Sequence, residues 1–210
     1  MAQTATQLTR RHRSQLLKIS TRTLHDVAKV WALLNPADLD TSFIEYSQVM
    51  EKLIGERKQL AASVTYGYVK ELKKVLIGGD IPYVDTPALE YDKLNTSLKV
   101  LGPITIKQHI KDGEQYVEAA NVALRRTQGA AVRHTYGGAR ELLDAVVAAD
   151  QDALGWKRVT SSRACDFCSM LAGRGAVYKS EGNASFTASG QHYHDNCKCT
   201  VQPLYLDSTN

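Results

Sequence analysis

The chain has 210 residues, which suits one medium domain with at most a small second one and excludes a multidomain machine. Hydrophobic residues at 43% and charged residues at 23%, with 14 glycines and 5 prolines, exclude collagen-like and wholly disordered chains. No stretch approaches the roughly 20 consecutive apolar residues a membrane-spanning helix requires, and the start of the chain is polar and basic without an apolar signal-peptide centre. Synthesis in a cytosol and no membrane partner are therefore expected.

The net charge of +4 is unevenly spread. Residues 1–35 hold Arg10, Arg11, Arg13, Lys18, Arg22 and Lys29 against Asp26 alone, while the remainder has 20 basic and 21 acidic residues. A basic arm on a neutral body can displace counterions from a polyanion without reading sequence, and Arg10, Arg11 and Arg13 are the candidate nucleic-acid contacts. A solvated helix face accounts for the same residues.

Taken in chain order, Leu17, Leu24, Val27, Trp31 and Leu34 predict an amphipathic helix near 5–34, stopped by Asn35-Pro36. Ser42 and Glu45 have capping-box spacing, and Phe43, Tyr46, Met50, Leu53, Leu60, Val64, Tyr68, Leu72 and Val75 predict a second long helix near 42–77, closed by Gly78-Gly79. Pro82, Pro87 and Pro103 predict an irregular connection with one or two short helices. Alanine-rich helical character returns near 114–154, with Gly137-Gly138 as a candidate break and Gly155 as the C-cap. Residues 1–155 thus form a helical region. After Gly155 the texture turns short, β-like and loop-rich, and residues 156–210 hold too little apolar surface to be firm without a staple.

All four cysteines lie in that last part. Cys165-Asp-Phe-Cys168 has the spacing of a zinc knuckle, and His194-Asp-Asn-Cys197-Lys-Cys199 supplies the second half. Five candidates, Cys165, Cys168, His194, Cys197 and Cys199, compete for the four positions of a structural Zn2+, with His192 a weaker sixth. The alternatives are disulfides crossing between the two clusters, or one cysteine acting as nucleophile with His192 or His194 as base. GxSxG, HExxH, phosphate-loop and dinucleotide motifs are absent. The expected fold is mainly α with a small C-terminal α+β, loop-rich, zinc-stapled module.

The run Gly155-Trp156-Lys157-Arg158-Val159-Thr160, then Ala164-Cys165-Asp166-Phe167-Cys168-Ser169-Met170-Leu171-Ala172-Gly173-Arg174-Gly175, then His194-Asp195-Asn196-Cys197-Lys198-Cys199-Thr200-Val201 and Pro203, resembles the signature of Mu F-like minor head proteins of tailed bacteriophages. Arg126-Thr127 is similar to a pair that often precedes that signature. Lys198 and Asp195 depart from the commoner arginine and proline without removing a ligand candidate. The resemblance covers the C-terminal part; the helical front, residues 1 to about 110, is similar only in general character, as in actinobacteriophage proteins of this layout.

The resemblance implies a minor capsid, or head morphogenesis, protein inside the virion near the portal. Its implied partners are the portal protein, the major capsid protein and packaged DNA. Relatives are also described as capsid maturation proteases, a reading for which Cys168 and His194 are the available pair. The structural and assembly role is the expectation, with no catalytic residue assigned.

Overall fold

A computed structural model describes residues 4–160, 164, 166–174 and 198–205. Three long helices make its body: α1 (Ala5–Val30), α2 (Leu39–Leu76) and α5 (Tyr116–Ala149). Two short helices, α3 (Tyr91–Lys99) and α4 (Thr105–Lys111), flank a π-helical segment, Val100–Ile104. Strands β1 (Ala153–Val159) and β2 (Thr200–Tyr205) pair antiparallel, and α6 (Asp166–Gly173) lies between them in sequence. The architecture is mainly helical with a small two-stranded sheet near the C-terminus, as the sequence predicts.

Helix α1 starts at a capping box in which Thr4 and Gln7 satisfy each other's backbone amides. The box expected at Ser42 and Glu45 is not the start of α2. Asp38, four residues earlier, caps that helix by accepting from the Thr41 amide at 3.1 Å, and Ser42 lies inside, its hydroxyl donating to the Asp38 carbonyl at 2.7 Å. At the far end Gly78 and Gly79 take φ of 79° and 81°, the left-handed conformation that stops a helix at low cost in glycine. Inside the π-helical segment Pro103 supplies no amide hydrogen. Thr105 donates its hydroxyl to the Val100 carbonyl, five residues back, at 2.9 Å.

Helix α1 runs antiparallel to α2 and α5. Gln128 of α5 donates to the Leu24 carbonyl, Arg57 of α2 reaches Asp26, and His12 meets Thr65. Helices α2 and α5 run parallel, since Lys58 meets Glu141 and Lys73 meets Asp150. The connection through α3 and α4 makes this possible by returning the chain to the end where α2 began. There Lys107 of α4 binds Asp40, and Leu94, Leu98 and Ile106 pack with Met50, Ile54, Ala119 and Ala123. The sheet closes the opposite end, where Trp156 and Val201 join Leu8, Val69, Leu72, Leu142 and Val146 in one core.

Three local expectations are corrected. Gly137-Gly138 does not break α5: a Cβ on Gly138 would stand 2.1 Å from the Lys58 carbonyl oxygen, so the glycine is there to let α5 approach the α2 backbone. Gly155 does not cap a helix; it sits at a register irregularity in β1 with φ of 142°. Leu17, Leu60 and Val75, placed on the apolar stripes, are exposed, while Leu16, Ile19, Ala61, Ala62 and Val69 are buried. Each helix touches two neighbours, so the buried arc is wider than the single stripe and shifted from it.

Candidate functional site

The sheet register decides where the cysteines go. Val159 pairs with Thr200 and Arg158 with Val201, so Cys199, one residue before β2, stands where β1 ends. From that same end the chain leads to α6, which packs on β1 and carries Cys168. Both sulfur-bearing residues are buried, Cys168 at 1% and Cys199 at 2% exposure.

Two buried arginines attend them. Arg158 of β1 donates to the Cys168 Sγ at 3.2 Å, and Arg140 of α5 donates to the Cys199 carbonyl at 3.0 Å. A guanidinium at the sulfur favours the thiolate, the form that ligates a metal or attacks an electrophile. Hydrogen bonds onto ligand sulfurs are also the usual outer support of a thiolate metal site. The donor chemistry therefore fits Zn2+. A nucleophile must in addition be reached by its substrate, and the burial of Cys168 closes it to a polypeptide in this arrangement.

Cys165, His192, His194 and Cys197 lie outside the described residues. Among the described residues no three Cys, His, Asp or Glu side chains gather as a metal site, and only Cys168 and Cys199 of the five candidates are among them.

A polar network ties this end to the helices. Lys73 of α2 binds Asp150 and Asp152, each at 2.8 Å, and Tyr205 of β2 donates to Asp150 at 3.3 Å. Burial alone would lower the Lys73 pKa, but its hydrogen bonds to Asp150 and Asp152 raise it above the ordinary lysine value. Burial first, and then the Asp150 charge, push the Tyr205 phenol up. Near the start of α1, Thr9 bonds both Tyr68 and Gln202 of β2, at 3.0 and 3.3 Å. His12 stacks on Tyr68 with ring centres 4.3 Å apart, and burial drives its pKa down to about 3, so it is neutral at ordinary pH.

Reading the sequence for motifs missed Lys73, Arg140, Asp150 and Arg158. For Arg158 a signal existed: it alternates with Trp156 on one face of a strand, which marks it as inward-facing. Lys73 and Arg140 sit on helices and Asp150 just past the end of α5, where only tertiary packing distinguishes them from surface charges.

The three basic candidates on α1 diverge. Successive helical residues turn by about 100°, so Arg10, Arg11 and Arg13 fan around the axis. Arg10 is exposed, Arg13 half-buried, and Arg11 pairs with Glu71 of α2.

No helix among the described residues is long and apolar enough to cross a membrane. The sequence matches the VG15 protein family over residues 3–209, and the chain belongs to that family, one of viral (phage) gene products. Neither the curated proteins nor the solved structures provide a match.

Proposed function

We propose that this member of the VG15 family is a minor capsid protein of a phage head, with a structural and assembly role at the portal or on the inner shell. The observation that carries the reading is the meeting of two cysteine-bearing segments at one end of the sheet, with Cys168 and Cys199 both buried. Those segments belong to the run that resembles the Mu F-like signature, and burial suits scaffolding better than turnover. The portal protein and the major capsid protein are the partners this reading calls for.

Four of Cys165, Cys168, His194, Cys197 and Cys199 would hold one Zn2+. Such an ion supplies a closed shell of thiolate and imidazole bonds, contributing on the order of 10 kcal/mol to folding. Arg158 would then hold the Cys168 sulfur in place and balance its charge, while Arg140 fixes the backbone at Cys199.

Metal analysis of the purified full chain tests the staple. One zinc per chain is expected, lost together with thermal stability in a Cys165→Ser/Cys168→Ser variant; metal-free wild-type protein that stays folded removes the zinc. Quantitative proteomics of purified heads tests the role, with a few copies per particle expected. Cleavage of the capsid precursor that disappears in a folded Cys168→Ala variant would replace this reading with a protease.

A further inference from the structure

The exposed side of α1 carries a straight line of cations. Arg11, Lys18, Arg22 and Lys29 are all exposed, and their spacing of seven, four and seven residues keeps them within about 40° of arc on a helix. The line is about 27 Å long at 1.5 Å per residue. Arg11 at its start is paired with Glu71, but among the described residues no ion pair engages Lys18, Arg22 or Lys29. Asp26 is the one acidic residue of α1, and it is turned toward Arg57 of α2 at 2.6 Å and His25 at 3.4 Å. Arg125 of α5, one turn before the Gln128 that bonds the Leu24 carbonyl, adds an exposed cation level with the last turn of α1.

We propose that this line, centred on Lys18, Arg22 and Lys29, is a docking surface for the phosphate backbone of duplex DNA, bound without base reading. Its length matches about eight base pairs at 3.4 Å per step, and its charge is unbroken along that length. An acidic protein partner is the less suitable occupant. Protein interfaces take their affinity from buried aromatic and apolar anchors, and the one strongly exposed large apolar residue of α1, Leu17, stands off the line. The surface differs from the Arg10, Arg11 and Arg13 cluster, of which only Arg11 lies on the line while Arg10 and Arg13 stand about 100° and 160° round the helix from it. It is also independent of the zinc staple and of the protein's place in the head.

Binding of the full chain to a labelled duplex of mixed sequence, followed by anisotropy through a NaCl titration, tests the surface. Wild type should bind with a log–log salt slope of about −3 or steeper, and Lys18→Gln/Arg22→Gln/Lys29→Gln should make the slope shallower by about 3 and weaken low-salt binding more than about tenfold. These side chains are exposed, so the variant should keep the wild-type circular dichroism, and Arg10→Gln/Arg13→Gln should stay near wild type. The proposal is overturned by wild type that fails to bind, by binding indifferent to salt, by a folded triple variant that binds normally, or by an equal loss in the Arg10/Arg13 variant. Displacement of the duplex by polyglutamate at equal charge concentration would assign the line to an acidic protein instead, and also overturns it.

Discussion

Where α2 and α5 begin, the body is closed by hydrocarbon: Leu94, Leu98 and Ile106 are wholly buried against Met50, Ile54, Ala119 and Ala123, and the Lys107–Asp40 ion pair lies on the surface. Where those helices finish, the charges themselves are inside. Lys73, Arg140, Asp150 and Arg158 are each at most 6% exposed, and a two-stranded sheet is held through them. A helix makes its backbone hydrogen bonds within its own segment, apart from its ends, and docks mainly through an apolar face. Two strands alone are marginal in water and present unpaired edges, so their position depends on directional bonds to neighbouring side chains. The hydrocarbon end should therefore tolerate substitutions that keep volume, whereas the sheet end should fail when any one partner is removed.

The largest effect is expected where helix packing leaves no volume at all. Gly138→Ala places a methyl group against the Lys58 backbone and should cost about 3 kcal/mol or more in chemical denaturation, as severe overpacking does. At the sheet end, Lys73→Ala leaves Asp150 buried without its cation and should cost about 3 kcal/mol, the lower part of the range for a broken buried pair because exposed Asp152 keeps solvent near. If Lys73→Ala proves as mild as removing the exposed partner in Lys93→Ala, which should change stability by less than about 1 kcal/mol, the contrast between the ends is lost.

His12 gives the comparison a pH dependence. Its pKa falls from 6.5 to about 3 on folding, so between those values the unfolded chain binds the extra proton. Stability is thus retained above pH 6.5 and lost as the pH drops toward 3. The contribution between pH 7 and pH 5 is about 2 kcal/mol, and His12→Phe should flatten that part of the profile. The smallest effect sharpens the glycine argument: Gly137→Ala meets only the Glu141 carboxylate, at 3.0 Å, which can shift slightly on its flexible side chain while keeping Lys58, and should change stability by less than about 1 kcal/mol.

The three long helices were legible because Asn35-Pro36 and Gly78-Gly79 punctuate the chain and the apolar residues recur at helical spacing. What the spacing could not tell was how many neighbours each helix has. Leu17 and Val75 fit one idealised stripe, yet the burial of Ala61, Ala62 and Val69 follows from α2 packing against both α1 and α5. Gly138 misled for a related reason. The same residue type marks a break or a close approach, and only the partner helix distinguishes them.

At the candidate site the cysteines and histidines were legible from spacing as candidate ligands, but the arginines beside Cys168 and Cys199 were not. Arg158 reaches Cys168 across 10 residues and Arg140 reaches Cys199 across 59, and no local pattern couples them. Cys165, His194 and Cys197 lie outside the described residues, so the ligand set rests on sequence. The basic arm was legible as composition; its usable geometry was not, because neighbours in sequence such as Arg10 and Arg11 turn away from each other on a helix while Lys18 and Arg22 line up.

The core at the sheet end also constrains when the protein can fold. Leu8 and Val201 share it, and Thr9 is bonded to Gln202 across a separation of 193 residues. A nascent chain emerging from the ribosome has α1 and α2 to pair early, but the pocket around Leu72 and Leu143 stays open to water until β2 has been made. Chains halted before that strand should be the ones that chaperones retain and proteases remove.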